Sequence, residues 1–405
     1  MISVHNRSNK YKNKGITFFT LVLLFSIFGT MLSKYSEGTA SQIVSYVAEI
    51  LLICFTIWFT LLNSPKIILN KFVLICIIIL CVNFALSPYE PRISLLPKFL
   101  GYLSCFGYGY SLAKRHNIPK VSNTLLALLI LPPALIVFLF DPTDEKKTFF
   151  ENSNVFVFLG LTMALFYVFL KGYDKKHQII AWGILVMYMA IGTSLGIIVA
   201  VALAYFLINF SWRNLIFLLI GGVVFVLIVE FVDLPVLTRF RDVIEVWKSL
   251  SWNDLIHIQD INLHDLGNSV NRVGERSDTT SSVWRLIQWS GIFTQYVTSP
   301  LNIPFGLGAD FAFYKTGLPP HNDFLMILSE YGLIVFLIFV KIVIKAFHSV
   351  KRQEVRFLIV AIFCYYFTEN LINSFPQNVI LYFVLGYSLF GSFKVKLYHE
   401  DSIDK

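Results

Sequence analysis

The sequence predicts an all-α polytopic membrane protein with about twelve transmembrane helices and one large external loop. Of its 405 residues, 56% are hydrophobic and only 14% are charged, which is more apolar side chain than one soluble core encloses. Apolar runs of about 20 residues, the length that crosses the hydrocarbon as a helix, recur between short polar breaks. Lysine and arginine are concentrated in alternate breaks, as the positive-inside rule requires.

The apolar runs define the spans in chain order. The first, residues 16–33, follows a basic stretch as a signal peptide would, but it is long and no A-x-A cleavage motif follows it. We therefore interpret it as an uncleaved span. The next spans are predicted at residues 43–62, 72–87, 95–113, 121–140, 154–171, 177–193, 195–210 and 214–232, and the last at residues 322–347, 354–372 and 376–392.

This arrangement divides the chain into three parts. Residues 1–232 form an N-terminal membrane bundle of about nine helices, residues 233–320 an external loop with an interfacial helix, and residues 321–405 the C-terminal membrane helices and a short tail. The basic breaks place both termini in the cytoplasm. The acid-rich break DPTDEKKTFFENSN falls on the other side, and so does the long loop. Water-phase chemistry is therefore expected in the loop.

Charge and cysteine content argue against two other classes. The formal net charge of +8 follows from the cytoplasmic breaks, and the sequence lacks the interleaved aromatic and basic residues that bind single-stranded nucleic acid. The cysteines lie inside apolar runs without the paired spacing of a zinc or redox motif, so we interpret them as small core residues. They are Cys54, Cys76, Cys81, Cys105 and Cys364. No metal or other cofactor is predicted.

The loop contains a predicted helix in SSVWRLIQWSGIFTQYV. Its serines are suited to cap a helix start. Apolar residues follow at roughly helical spacing, namely Val283, Leu286, Ile287, Trp289 and Phe293. Trp284 and Tyr296 favour a position at the membrane interface, where aromatic rings are enriched.

The first candidate site is PPHNDF, at the end of the loop. The prolines stop any upstream helix, and Asn322 or Asp323 can cap the next one. A histidine at a helix N-terminus lies at the positive end of the dipole, which disfavours the imidazolium form. His321 could therefore accept a proton as a general base. The alternative is that His321 merely caps the helix beside Asn322.

Two further candidates lie upstream. VNRVGERSDTTSSVWR brings Arg272, Arg276 and Arg285 close together in sequence, and forked guanidinium groups suit a diphosphate. Acidic residues between them leave solvated salt bridges as the alternative. In PFGLGADF, Gly306 and Gly308 permit close backbone approach or a positive φ, although the stretch lacks the ending of a phosphate-binding loop.

Glu330 lies inside the apolar run that follows His321. At about 100° per residue the two side chains lie on opposite sides of a helix, so Glu330 cannot orient His321 directly. A carboxylate at this depth should face the bundle interior. We interpret Glu330 as a structural partner for an arginine or a helix amide, with a proton relay as the alternative.

A late external loop holding WRLIQW, then SPLNIPFGLGADF and PPHNDFLMILSEYGLIVFLIF, resembles the O-antigen ligase and Wzy polymerase family of bacterial surface polysaccharide synthesis. The specific stretch covers about residues 281–340. The resemblance implies a GT-C-like architecture in the bacterial inner (plasma) membrane and metal-independent, inverting glycosyl transfer from undecaprenyl diphosphate. Polymerases pass the glycan to the next lipid-linked repeat unit, and ligases pass it to lipid A core. Membrane lipid and a chain-length regulator are further partners of such enzymes.

The resemblance also implies residue roles. His321 matches the catalytic base of the HN motif, and Arg285 matches the diphosphate contact before the tryptophan helix. Many relatives open the helix before the large loop with Ser-Arg or Thr-Arg, whereas this chain reads GTSLG, with Leu195 at the arginine position. The remaining candidates for substrate contact are Arg272, Arg276, Arg92 and Lys98, which could supply the missing charge, together with Asn322, Asp323, Gly306 and Gly308.

The sequence leaves three functions open, namely polymerase, ligase and flippase. The form PHNDFL with SEYG favours a polymerase over a ligase. A flippase for the same lipid-linked units is the alternative from another class. Transporters tend to show internal repeats and charged groups near the bilayer midplane, whereas the polar groups of this sequence gather in the loop and at its borders, which favours an enzyme.

Overall fold

The computed structural model describes residues 2–36, 39–65, 71–89, 95–114, 121–140, 153–171, 174–192, 194–231, 241, 244–258, 281–317 and 320–400. These residues form helices and connecting turns, with no strand among them. The helices named below are α1 (Ile2–Ser36), α2 (Thr39–Asn63), α3 (Lys71–Ala85), α4 (Leu95–Ala113), α5 (Asn123–Phe140), α6 (Ser153–Lys171), α7 (Lys175–Gly192), α8 (Leu195–Ile208), α9 (Trp212–Phe231), α10 (Trp252–Ile256), α11 (Ser281–Val297), α12 (Asn302–Phe305), α13 (Phe311–Thr316), α14 (Asp323–Ser349), α15 (Gln353–Thr368) and α16 (Phe375–Glu400).

The predicted all-α class is confirmed for these residues, and each predicted span falls largely on one of these helices and extends beyond it by up to four residues. Among the described residues, 5 helices are long and apolar enough to cross a membrane: Gly15–Ser33 within α1, Gln42–Asn63 within α2, and the whole of α5, α6 and α14. The chain therefore has the helices of a membrane-spanning protein. The total of about twelve spans and the GT-C-like architecture remain predictions.

Glycines allow a close helix contact between α4 and α16. A Cβ on Gly109 would lie 2.1 Å from the carbonyl oxygen of Phe383, and a Cβ on Gly386 would lie 2.0 Å from that of Phe106. Each glycine thus lets the backbone of the opposite helix approach directly. Small residues are favoured at such contacts because helices in lipid associate mainly through close packing.

The polar breaks lie at two ends of the helix bundle, and hydrogen bonds connect breaks within each end. At one end, Lys171 Nζ donates to the carbonyl of Val121 at 2.7 Å, and Gln178 Nε2 donates to Glu354 Oε1 at 2.7 Å. At the other end, Ser87 Oγ donates to the carbonyl of Ala309 at 2.7 Å. The first group belongs to breaks predicted to be cytoplasmic, and the second to breaks predicted to be external. The grouping matches the predicted alternation, while the orientation in the membrane remains a prediction.

We expect reporter fusions to follow this alternation. A fusion near residue 265 should place the reporter outside the cytoplasm, and a fusion near residue 118 should place it inside, because lysine and arginine are retained on the cytoplasmic side. Alkaline phosphatase should therefore be active only at residue 265, and green fluorescent protein should fluoresce only at residue 118. Paired alkaline phosphatase and green fluorescent protein fusions at both positions would measure this. Cytoplasmic activity at residue 265 would place the loop on the wrong side and remove the basis for external chemistry.

Helix α14 is broken at Gly332, and the loop before α13 fills the break. Gly332 has φ 84° and ψ 170°, outside the helical region. The carbonyls of Ser329 and Glu330 accept hydrogen bonds from the amides of Leu307 at 2.7 Å and Gly308 at 3.2 Å. Irregular backbone at membrane depth is stable only when its polar groups are satisfied inside the protein.

The predicted freedom of the loop glycines is confirmed. Gly306 and Gly308 have φ 82° and 104°, which residues with a Cβ rarely adopt. A Cβ on Gly306 would also lie 2.3 Å from the carbonyl oxygen of Glu330. These glycines thus allow the α12–α13 connection to pack directly on the break in α14.

Glu330 has the structural role that the sequence predicted. Its side chain is buried, with 2% of its surface exposed, and its oxygens accept from the amides of Asp310 at 3.2 Å and Ala312 at 3.4 Å. Ala312 belongs to the first turn of α13, whose amides have no partner within the helix. The predicted helix-amide contact is therefore confirmed.

Two details of the sequence interpretation need correction. The loop helix α11 forms as predicted, but its most buried residues are Val283, Gln288, Ile292 and Tyr296, whereas Phe293 is 50% exposed. The spacing predicted the helix, whereas the elements packed against it determine which of its residues are buried; its position at the membrane interface remains a prediction. Among the cysteines, Cys105 and Cys364 are buried as predicted, whereas Cys54 is exposed and Cys81 only partly buried.

Candidate active site

His321 lies immediately before α14, at the end predicted to be external. Asn322 is the N-cap residue, and its Oδ1 accepts from the amide of Leu325 at 2.9 Å. The predicted helix start is therefore confirmed, and the cap is provided by Asn322. The interpretation that His321 serves as the cap is wrong, because the His321 ring bonds elsewhere.

The partner of His321 is Glu369. His321 Nδ1 lies 3.2 Å from Glu369 Oε2. A carboxylate only accepts hydrogen bonds, so Nδ1 carries the proton and Nε2 is the nitrogen that can exchange one. The ring of Trp284 packs against the imidazole in a T-shaped arrangement with centroids 5.6 Å apart. These two contacts fix both the tautomer and the plane of the ring.

Arg285 binds the other oxygen of the same carboxylate. Its Nη2 lies 3.0 Å from Glu369 Oε1, and its Nη1 donates to the carbonyl of Thr368 at 3.0 Å. The side chain of Glu369 is only 4% exposed, whereas those of Arg285 and His321 are 21% and 26% exposed. We call these three residues the Arg-Glu-His cluster. The carboxylate is inside, and the cation and the imidazole both reach the surface.

The end of α15 explains how Glu369 reaches this position. The predicted span 354–372 is helical only as far as Thr368, and Glu369 is extended, with φ −139° and ψ 160°. The sequence ENLINSFP follows, in which asparagine and serine favour turns and proline is well tolerated in the first turn of the next helix. A non-helical turn at residues 369–374 therefore separates α15 from α16 and presents the carboxylate to the loop.

The start of α8 packs against the same carboxylate. A Cβ on Gly196 would lie 3.3 Å from Glu369 Oε1, so the first turn of α8 is next to the cluster. Ser194, which precedes α8, bonds to the hydroxyl of Tyr365 at 2.9 Å. Ser194 and Gly196 thus border the site, and Leu195, where the resemblance implies an arginine, lies between them in the sequence.

The chain matches no family model and no curated protein. The resemblance inferred from the motifs consequently remains a prediction, and the geometry of the cluster has to be interpreted from the residues themselves.

The structure brings some predicted site residues together and not others. Arg285 and His321 meet through Glu369. Asn322 and Asp323 are buried and bonded to backbone amides. Gly306 and Gly308 pack on α14, and Lys98 Nζ donates to the carbonyl of Asn373 at 3.0 Å. Substrate contact by these residues remains a prediction. Arg92, Arg272 and Arg276 lie outside the described residues.

Sequence reasoning gave Glu369 no role. It lies within the predicted span 354–372, where an ionisable residue is expensive and usually functional, and this was the available signal. What the sequence could not supply was the partner, because residues 285, 321 and 369 belong to separate elements. Chemically, the cluster combines a proton-exchanging nitrogen with a cation that can bind an anion beside it.

Proposed function

We propose that this chain is a glycosyltransferase of the bacterial inner (plasma) membrane that polymerises a surface polysaccharide such as O-antigen or capsule. It transfers a glycan from undecaprenyl diphosphate to the next lipid-linked repeat unit, without a metal and with inversion. The observation that carries the proposal is that His321 and Arg285, selected from the sequence as base and diphosphate contact, bind the same carboxylate.

The proposed reaction needs a base and a counter-charge. His321 Nε2 takes the proton from the acceptor sugar hydroxyl as that oxygen forms a bond to the anomeric carbon. The bond from the anomeric carbon to the diphosphate oxygen breaks, and the electron pair leaves with the lipid diphosphate. Arg285 stabilises the charge that develops on this leaving group. Attack opposite the diphosphate inverts the anomeric centre, and no covalent glycosyl-enzyme forms.

An apolar cavity beside the site supports a substrate with a lipid chain. It has a volume of about 220 Å³ and is lined by Phe99, Ile327, Tyr331, Val335 and Ile372 among others. Ile372 belongs to the same turn as Glu369, and the lining continues along α14 as far as Val343. An apolar cavity that reaches the turn carrying Glu369 suits the hydrocarbon tail of a molecule whose charged head binds at the Arg-Glu-His cluster.

The break in α14 is the observation that favours a flippase, because transporters use broken helices to bind their cargo near the midplane. In such proteins the freed backbone groups face a cavity. Here the carbonyls of Ser329 and Glu330 accept from the amides of Leu307 and Gly308. The break therefore anchors the α12–α13 loop, and this supports the enzyme over the transporter.

The product pattern after loss of the chain tests the proposal. If the protein is a polymerase, its absence should leave cells that transfer a single repeat unit, so the surface lipid carries one short glycan. Electrophoresis of surface glycolipid and mass spectrometry of the lipid-linked pool would measure this. Long glycan stranded on undecaprenyl diphosphate beside unmodified lipid A core would instead identify a ligase. Single units retained on the cytoplasmic face would identify a flippase.

The transfer activity should depend on both the positive charge and the forked shape of the Arg285 side chain. Arg285→Lys keeps the positive charge but loses the fork that contacts Glu369 Oε1 and the carbonyl of Thr368, so we expect reduced transfer, and Arg285→Ala should be lower still. Initial rates at several donor concentrations would separate loss of binding from loss of turnover. Wild-type rates in both variants would leave Arg285 with a purely structural role. Arg213, on the exposed start of α9, offers a matched arginine whose replacement should change little.

A further inference from the structure

Asp323 connects the first turn of α14 to the turn that carries Glu369. Its Oδ2 accepts from the amides of Leu371 at 2.8 Å and Ile372 at 3.0 Å. The side chain is fully buried, with 0% of its surface exposed. A buried side-chain oxygen that accepts from two backbone amides ties the segments that carry them together, because breaking these bonds would leave buried polar groups without partners. The sequence suggested Asp323 as a helix cap or a substrate contact, but this oxygen is used inside the protein.

A second bond joins the same two segments on the other side of His321. Asn370 Nδ2 donates to the carbonyl of Pro320 at 3.1 Å. The His321–Glu369 contact is thus bracketed by bonds from the preceding and following residues of the same segment. Because Asp323 and Leu371 each lie two residues from the contacting pair, a shift of this connection would move Glu369 relative to His321.

Other side chains hold the rest of the turn. Tyr102 donates its hydroxyl to the carbonyl of Ile372 at 2.5 Å, Lys98 Nζ donates to that of Asn373 at 3.0 Å, and Asn378 Nδ2 donates to that of Leu371 at 2.7 Å. These bonds fix the turn to α4 and α16. Asp323 is different, because it fixes the turn to the segment that carries the histidine.

We propose that Asp323 is a positioning residue for the transfer reaction. It holds the backbone of residues 371–372 so that Glu369 stays on His321 Nδ1 and keeps Nε2 as the proton-exchanging atom. The inference rests on the proposed function, since it concerns the geometry of the proposed base. Asp323 contacts neither reacting sugar and acts through Glu369.

The test is a double-mutant cycle between Asp323→Asn and Glu369→Gln. Asparagine keeps the shape of the side chain but places a buried NH₂ donor where Asp323 Oδ1 has no hydrogen-bond partner, or else turns that donor toward the two amides. A displacement of about 1 Å at a reacting group can cost roughly 100-fold in rate, so Asp323→Asn should lower turnover by up to about that factor. The KM for the lipid-linked donor should change much less than turnover, because Arg285 keeps its second bond, to the carbonyl of Thr368. In the Glu369→Gln background the same change should have little further effect.

Glu330→Gln is the matched control. Glu330 lies on the same helix, is also buried, and also accepts from two backbone amides, but those amides belong to the N-cap and the first turn of α13. Glu330→Gln should therefore change turnover by the same factor whether position 369 is glutamate or glutamine. Full-length protein in detergent or nanodiscs, normalised to the folded fraction, would be used throughout.

The outcomes separate the possibilities. The positioning role is supported if the turnover losses of Asp323→Asn and Glu369→Gln do not multiply in the double variant, whereas those of Glu330→Gln and Glu369→Gln do. Wild-type turnover in Asp323→Asn, or losses that multiply with those of Glu369→Gln, would overturn that role while leaving the glycosyltransferase proposal intact. If the wild-type protein transfers no glycan from a lipid-linked donor, the proposed function fails, and the positioning role fails with it.

Discussion

Replacing His321 with alanine is expected to abolish glycan transfer while leaving the protein at near-normal levels in the membrane. The imidazole is the proposed base, and general acid–base catalysis typically contributes about 10²–10⁴-fold in rate. The side chain is 26% exposed and lies at a helix boundary, so its loss creates no cavity in a packed core. Glycan length and yield in complemented cells, with immunoblots of membrane fractions, would measure both parts of the prediction.

His177 is a suitable control for this substitution. Its Nδ1 bonds to the hydroxyl of Tyr167 at 2.9 Å, at the polar end of the bundle that is predicted to be cytoplasmic. His177→Ala should leave glycan length unchanged. If His321→Ala also produced glycan of normal length and yield, the assignment of the base would be wrong. A large drop in membrane level for His321→Ala would show that the residue matters chiefly for folding.

Replacing Glu369 with glutamine is expected to reduce turnover by at least about 100-fold. In a triad of comparable logic, exchanging the carboxylate that orients a catalytic histidine for an amide costs roughly 10⁴-fold, because the wrong tautomer is favoured. Here one carboxylate serves two donors, His321 Nδ1 and Arg285 Nη2. Glutamine retains one acceptor oxygen and adds an NH₂ donor, so it cannot accept from both.

Glu369→Asp and Glu354→Gln complete this experiment. Aspartate keeps the charge but is shorter by one methylene, so transfer should be intermediate between wild type and Glu369→Gln. Glu354 accepts from Gln178 at the opposite end of the bundle, and its replacement should leave transfer unchanged. Initial rates with a radiolabelled donor would measure the series. Wild-type turnover in Glu369→Gln would show that the carboxylate is only a structural partner of Arg285.

Features that depend mainly on neighbouring residues could be predicted from the sequence. Apolar runs predicted the helices, the cap at Asn322 predicted the start of α14, and the glycines of PFGLGADF predicted positive φ at Gly306 and Gly308. The interpretation of Glu330 as a partner for a helix amide also held. The helices, the cap and the glycine conformations depend on residues within a few positions of one another or on the preference of one side chain for one backbone conformation. The Glu330 contact is long-range, and the sequence predicted only that a buried carboxylate needs a donor, not which segment supplies it.

Tertiary structure alone decided which distant groups meet. The sequence placed Glu369 inside a span, whereas the chain leaves the helix at Thr368 and turns the carboxylate toward Arg285 and His321. The tertiary structure also determines that Asp323 binds the amides of the same turn and which residues of α11 are buried. A buried carboxylate requires hydrogen-bond donors, but its own residue type does not specify which segment supplies them. That choice follows from how the helices pack, since packing brings Arg285 from the loop, His321 from the start of α14 and Glu369 from the end of α15 within hydrogen-bonding distance.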